Sequence, residues 1–580
     1  MSNHLLVMST VSPASVDPVS VSSSPALGIF DMVVVVVYVL GVVGLGICAG
    51  LRHKRSKGEA KDYFLAGGTL RWPIIGLALF ATNISCVHLV SLAQSGFDTG
   101  LLNGNFEWMA GFTLILLGLF FAPFYIRSGV TTLPDFLERR YSRECRDWLA
   151  VMSIVSAVTI HIGFSFLTGG IVLRELFGIN MYGSIVVIAV LTGLYTIVGG
   201  LMAVVVTEAV QTVVLVLGAA MITWFAWDKM GGWDPMVQTL RDSGEMIKLS
   251  MLRPAGDESG MPWYAVMLGY PVLGIWYWCA DQTIVQRVLG AKDENHARVG
   301  PLFAGFIKIL PVFIFVMPGL LAYTLYRTGG LDLSSLMYID DSGQEVLNTK
   351  GVYGAMITQL LPAGLTGVMV AALLAALMST VSGALNSIST LFAFDLYRKF
   401  RPDSSDHRLV LVGRVTAGIA LLLAIGLVPL LDGYPSIFNG LNDIIAHIAP
   451  PVTCVFVLGV FWKGASAMSA KLTLWIGSAL GTIVYALGKI GDVTPVASWL
   501  GALSGDSFMM MAVSLLICCV VMQVVFSLIW PVGERELASG LFWESPLDPL
   551  RERGWSGIGN YKLLALTLMV IMAVLYWVFR

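Results

Sequence analysis

The chain has 580 residues, of which 56% are hydrophobic and 12% charged, about half the charge of an average soluble protein. Net charge is −2, and apolar runs of about 20 residues recur along the chain, each long enough to cross ~30 Å of hydrocarbon. These features exclude nucleic-acid binders, secreted disulfide scaffolds and ordinary soluble enzymes, and predict an all-α polytopic membrane protein with the lipid bilayer as its first partner.

Residues 1–26 are rich in Ser, Val and Pro and hold no Lys or Arg. They lack the basic start of a cleavable signal peptide and read as a disordered extracytoplasmic tail. Fourteen spans follow, at 27–50, 69–96, 104–127, 147–175, 179–198, 202–228, 262–288, 300–328, 360–396, 409–431, 435–462, 465–487, 507–531 and 561–579. Gly199-Gly200, Asp432 to Pro435 and Trp530 to Gly533 punctuate them. With the N-terminus outside, the inner loops carry most of the 35 Lys and Arg, as the positive-inside bias requires. An even number of spans then puts both termini outside the cell membrane. The seven cysteines lie in or at the ends of apolar segments, so no disulfide framework is expected.

Two spans carry interruptions at matching places. The second holds Ala81-Thr82-Asn83-Ile84-Ser85, and the seventh holds Gly269-Tyr270-Pro271 and Gly274. Broken helices in corresponding positions point to a mid-membrane site, because unwound backbone is tolerated only where it lines a cavity. Five spans per half make the halves opposite in orientation. The division predicted is an extra helix at 27–50, one half at 69–228, the other at 262–463, and three accessory helices within 465–580.

A charge at the bilayer centre costs about 2.5–3.5 kcal/mol on insertion scales, so each one needs a reason. The candidates are Glu107, Glu208, Asp281, Lys308, Asp395 and Asp443, with His88, His161 and His447. Glu107, Asp281 and Asp395 lie near predicted span ends, where interfacial water is as good an explanation as function. Lys308 is eight residues into its span, roughly 12 Å deep. Snorkelling would serve it, but an acceptor cluster lining a cavity explains it better. His161 and His447 have no partner pattern and read as core histidines. Gly163 to Phe166 beside His161 looks like a serine-hydrolase motif, a short match expected by chance.

Within an otherwise apolar helix, Met378 to Thr390 is rich in hydroxyls. Ala376, Ser379 and Thr380 follow an i, i+3, i+4 spacing and share a face. Two hydroxyls and a carbonyl there, with two carbonyls freed near residues 81–84, would make five hard oxygen ligands suited to a small cation such as Na⁺. Helix packing through small hydroxyl residues is the equal alternative.

Three stretches together resemble the sodium:solute symporter family, its sodium–glucose cotransporter branch in particular: Gly199 to Gln211, Trp276 to Arg287 with Ala291-Lys292, and Ala375 to Thr380 with Asn386-Ser387 and Ser389 to Phe392. Asn83-Ile84, Phe106-Glu107-Trp108 and Pro450-Pro451 with Phe461 to Lys463 extend the match over about residues 60–465. The resemblance implies a five-plus-five inverted repeat of the leucine-transporter type, and Na⁺-driven symport of a hexose by alternating access. By position it implies a sodium site at Ala81, Ile84, Ala376, Ser379 and Thr380. The sugar site it implies is Asn83, His88, Glu107, Tyr277, Trp278 and Lys308, with Tyr277 as the inner gate. Asn442 stands where branch members commonly have Gln, and Gly274 where they have Thr, which leaves inositol or another polyol open as the solute. Glu208 and Ser382 are the positions left open for a second sodium or for coupling, with Gly383 a further departure. A channel lacks a visible pore loop or charge ring here. A sugar sensor would need an output domain, and the stretch after residue 531 reads as a short amphipathic loop and one span.

Overall fold

The computed structural model describes residues 28–53, 59–178, 180–257, 259–339, 343–362, 364–431, 437–490 and 507–580. The tail expected at 1–26 and the turn expected from Asp432 to Pro435 lie outside them. The described residues are helical almost throughout. Their one sheet is a small antiparallel hairpin, Met337–Ile339 with Glu345–Leu347, in the loop after the eighth span.

Eleven uninterrupted helical stretches are long and apolar enough to cross a membrane among the described residues. The difference from fourteen lies at three expected features. The second span is two helices, Trp72–Asn83 and Cys86–Thr99, with Ile84 and Ser85 extended between them. A short turn then joins its second half to the third span, so that Cys86–Ser128 reads as one stretch. The seventh span breaks likewise: Trp263–Ile275 passes through a π turn, Trp276–Ala280, to Asp281 in extended conformation and then to Gln282–Leu289. The fifth and sixth spans form the single stretch Met181–Met230, turned at Gly200. Gly200 has φ 61°, and a Cβ there would meet the Tyr63 carbonyl oxygen at 2.4 Å, so only glycine fits the corner.

Each break exposes orphan amides that need partners. At the first, Ser85 and His88 form a reciprocal capping box, with Ser85 N donating to His88 Nδ1 at 3.2 Å. At the second, Asp281 accepts from Thr283 N at 2.6 Å. Both interrupted spans therefore restart with a side-chain cap at the point of rupture.

Burial separates the centre from the rim. The ninth span is buried over 94% of its most apolar window, against 17% for the first span and 28% for the last. The rim's exposed Val, Leu and Ile side chains are the lipid-facing surface such a bundle needs. The segment after Met230 clamps the end of helix Cys86–Thr99. Lys248 Nζ donates to the carbonyls of Phe97 (3.1 Å) and Asp98 (2.5 Å), and Arg253 donates to that of Thr99. Two cations thus complement the negative end of the helix dipole. All seven cysteines are unpaired.

One expectation is corrected here. Glu107, Asp281 and Asp395 do not face interfacial water: they are 1%, 6% and 0% exposed. Asp395 accepts from Arg146 Nε at 2.6 Å and Thr132 Oγ1 at 2.9 Å. In a bundle this wide, the ends of inner helices meet other helices and loops rather than solvent, so their charges find partners inside the protein.

Candidate functional site

The two breaks open onto one cavity of about 110 Å³, room for roughly eight to ten waters. Asn83, His88, Glu107, Tyr277, Trp278 and Asn442 all border it. The broken second span supplies Asn83 at the end of one half-helix and His88 at the start of the other. The start of the third span supplies Glu107, and the π turn of the seventh supplies Tyr277 and Trp278.

Lys308 is not on the wall. It lies one layer back, 1% exposed, donating to Glu107 and, at 2.5 Å, to Asn83 Oδ1. Its ammonium is 5.6 Å from the Trp278 ring centroid, within cation–π range. Asn83 Nδ2 in turn donates to the Tyr277 hydroxyl at 3.2 Å. His88 Nε2 is 3.9 Å from Glu107 Oε1 while its other nitrogen serves the Ser85 cap. The result is a connected polar array with one ion pair at its base and aromatic rings beside it.

Ala81, Ala376, Ser379 and Thr380 also come together, and Ile84, in the extended break just beyond, is buried like them. Ser379 Oγ donates to the carbonyls of Ala81 (2.9 Å) and Ala376 (3.0 Å). Thr380 Oγ1 donates to those of Ala376 (3.2 Å) and Thr82 (3.3 Å). The carbonyl end of Trp72–Asn83, the negative pole of a half-helix, faces these hydroxyls, a recurring way of coordinating Na⁺. Thr380 also borders the larger cavity, so the two clusters share a wall.

Glu208 and Ser382 are committed elsewhere. Glu208 accepts from Arg287 Nη2 at 2.5 Å and Thr82 Oγ1 at 2.8 Å, and Ser382 donates to the Ser379 carbonyl at 3.0 Å. Gly383 leaves space for that pairing, since a Cβ there would lie 2.4 Å from Arg287 Nη2.

With this geometry in view, comparison with known proteins is direct. The sodium:solute symporter family model matches residues 63–477. The chain belongs to the sodium:solute symporter family. This symporter is 32% identical over 562 residues to sodium/glucose cotransporter 4 of Danio rerio, covering 92% of this chain and 84% of that protein. It is 34% identical to sodium/glucose cotransporter 4 of Mus musculus over 80% of this chain and 70% of that one. Sodium/glucose cotransporter 1 of Ovis aries matches at 33% over 78% and 71%. Among solved structures, a Na⁺-coupled sialic acid symporter in a substrate-bound outward-open state superposes with TM-score 0.73 at 22% identity, covering 87% of this chain and 99% of that one. The fold is the leucine-transporter type with its five-plus-five inverted repeat. The chain is a multi-pass membrane transporter rather than an enzyme, and sodium is its co-transported ion.

Six further polar or aromatic residues border the cavity that sequence reasoning left out of the site: Ser85, Phe106, His161, Ser165, Tyr270 and Trp276. His161 Nε2 lies 2.9 Å from Asp281 Oδ2, so each answers for the other's burial. The signal was available, since an intramembrane acid and an intramembrane imidazole that both lack local partners are candidates for each other.

Proposed function

We propose that this symporter couples Na⁺ entry to the import of a hexose-class sugar by alternating access. The observation that carries the reading is the Lys308–Glu107–Asn83 array beside Tyr277 and Trp278. A neutral polyol needs hydroxyl acceptors and donors side by side, and an aromatic face for its C–H surface. Glu107 and Asn83 supply the first and the two rings the second. Lys308 acts mainly from behind, holding Glu107 and Asn83 in place through its hydrogen bonds to both. The relatives named as sodium/glucose cotransporters support a sugar. Na⁺ is assigned to Ala81, Ile84, Ala376, Ser379 and Thr380, where the hydroxyl protons that now point at carbonyls would swing away, so that hydroxyl lone pairs and carbonyl oxygens meet the ion together. Tyr277, hydrogen-bonded to Asn83, is assigned the inner gate.

In this reading residues 69–228 and 262–463 are the inverted halves, 27–50 is an extra helix and 465–580 carries three accessory spans, with both termini outside the cell. Glu208 ties helices together through Arg287 and Thr82, and Ser382 bonds back to its own helix at the Ser379 carbonyl, so neither is assigned a second ion. A tenfold Na⁺ gradient contributes about 1.4 kcal/mol and 100 mV about 2.3 kcal/mol per charge, together enough for roughly 500-fold accumulation with one ion.

Inositol or another polyol is the second reading. It is favoured by the wall at Gly274, where a side chain would meet Tyr270 Cε1 at 2.6 Å. The tyrosine ring therefore fills space that a Thr would claim, next to the shortened Asn442. Uptake of a labelled hexose and inositol panel into proteoliposomes, with an inward Na⁺ gradient or K⁺ in its place, tests both. Na⁺-dependent accumulation of a hexose is expected. Accumulation of inositol alone would select the second reading, and uptake indifferent to Na⁺ would remove coupling from the account.

A further inference from the structure

His161 lies in the π-helical stretch Ala157–Gly163 of the fourth span, 4% exposed, with its ring against the cavity. A π turn inserts a residue out of helical register and recurs at functional sites. Nε2 is 2.9 Å from Asp281 Oδ2, and the ring makes no other hydrogen bond among the described residues. Asp281 is itself anchored, because its other oxygen caps Thr283 N at 2.6 Å where the seventh span restarts. A carboxylate facing Nε2 makes that nitrogen the donor, which leaves Nδ1 of a neutral imidazole as an acceptor. The imidazole centroid is 5.9 Å from that of Tyr277, so the pair stands beside the polar array already assigned to the solute.

We propose that His161 is a further substrate-contacting residue, its Nδ1 accepting a hydrogen bond from one solute hydroxyl, and that Asp281 is the positioning residue that fixes the ring's tautomer and angle. The inference rests on the reading of the cavity as a polyol site. Its consequence is specificity. An acceptor enclosed with the solute is satisfied only by a solute that carries the matching hydroxyl, and sites of this kind reject analogues that lack it.

The test is Na⁺-driven uptake into proteoliposomes of the transported sugar or polyol and its series of singly deoxygenated analogues. His161→Phe should raise the half-saturating concentration of the parent solute roughly tenfold and leave one deoxy analogue unchanged. His161→Gln, which keeps an acceptor oxygen, should recover most of the loss. Asp281→Asn preserves a good helix cap and should show the same single-analogue signature at about threefold. Na⁺-induced change in intrinsic Trp fluorescence, measured without solute, reports that each variant is folded and should be unaltered. An equal loss across all analogues in both His161→Phe and Asp281→Asn would reduce the pair to a structural link and overturn the inference, with the cavity assignment intact. Absence of Na⁺-driven hexose or polyol uptake by the unaltered protein would overturn the cavity assignment and this inference together.

Discussion

Two of the ion pairs among the described residues, Glu208–Arg287 and Lys308–Glu107, lie deepest in this membrane protein, and their surroundings differ. Glu208 and Arg287 are both 0% exposed, and every contact they make is internal: Glu208 also takes Thr82 Oγ1, and Arg287 also donates to the Thr283 carbonyl. They tie the sixth span to the broken second and seventh spans. Lys308 and Glu107 are buried almost as deeply, at 1% each, yet Glu107 borders a cavity. Desolvating two charges costs several kcal/mol per ion in either place. In the sealed pair the partners, Thr82 and the Thr283 carbonyl offset that cost. In the other pair, Glu107 has a cavity beside it, so in the proposed reading water and solute hydroxyls would share the cost and the contacts would be exchangeable during a cycle. Burial and charge are common to both pairs; access to a cavity is what separates them.

The comparison is broken most severely at the sealed pair. Arg287→Ala should strand the Glu208 carboxylate and destabilise the protein by about 3–5 kcal/mol, read as a collapse in folded yield and thermal midpoint in detergent. Glu208→Gln combined with Arg287→Met should recover much of that loss. A stable Arg287→Ala protein with impaired uptake alone would mean that this pair, too, belongs to the transport machinery. Lys308→Ala comes next. Uptake at low solute should fall roughly 100-fold, while the thermal midpoint drops less than for Arg287→Ala and Na⁺ affinity is nearly unchanged. If sodium affinity collapsed with it, the separation between solute and ion clusters would be wrong.

Hydropathy made the spans and the two broken helices legible, because each is a local property of 20 or so residues. The cluster at Ala376, Ser379 and Thr380 was legible for the same reason, being set by helical spacing. Contacts across long sequence separations were not. His161 and Asp281 stand 120 residues apart, and nothing near either one announces the other. Lys308 was legible as a deep charge in need of an acceptor cluster, but its depth behind Asn83 and Glu107 depends on how the eighth span packs. For Glu107, Asp281 and Asp395 the predicted span ends make interfacial water and function equal alternatives, whereas the surrounding helices bury all three. Sequence similarity supplied the grouping of Asn83, His88, Glu107, Tyr277 and Trp278, and the structure supplied their distances.

The sodium cluster sharpens the comparison at smaller amplitude. Ser379→Ala removes one neutral oxygen of five and no charge. The expected effect is a rise of about three- to tenfold in the Na⁺ concentration for half-maximal uptake, with the solute curve at saturating Na⁺ little changed. An unmoved sodium curve would relocate the ion.

The smallest effect is expected at the clamp on Cys86–Thr99, where charge meets helix ends rather than another charge. Lys248→Met removes an ammonium from the carbonyls of Phe97 and Asp98 but keeps a flexible apolar stem in the same space. Interactions of this type contribute about 0.3–1 kcal/mol, up to ~2 where partly buried. Hydrogen exchange should therefore quicken in the last turn of Cys86–Thr99, with the thermal midpoint and the Na⁺ curve close to unchanged. A large loss of uptake would instead make the clamp part of a gate. Cys86–Thr99 is the second half of the broken second span, and its first turn carries His88 and the Ser85 cap at the cavity wall, so a gating role would reach the cavity through this one helix.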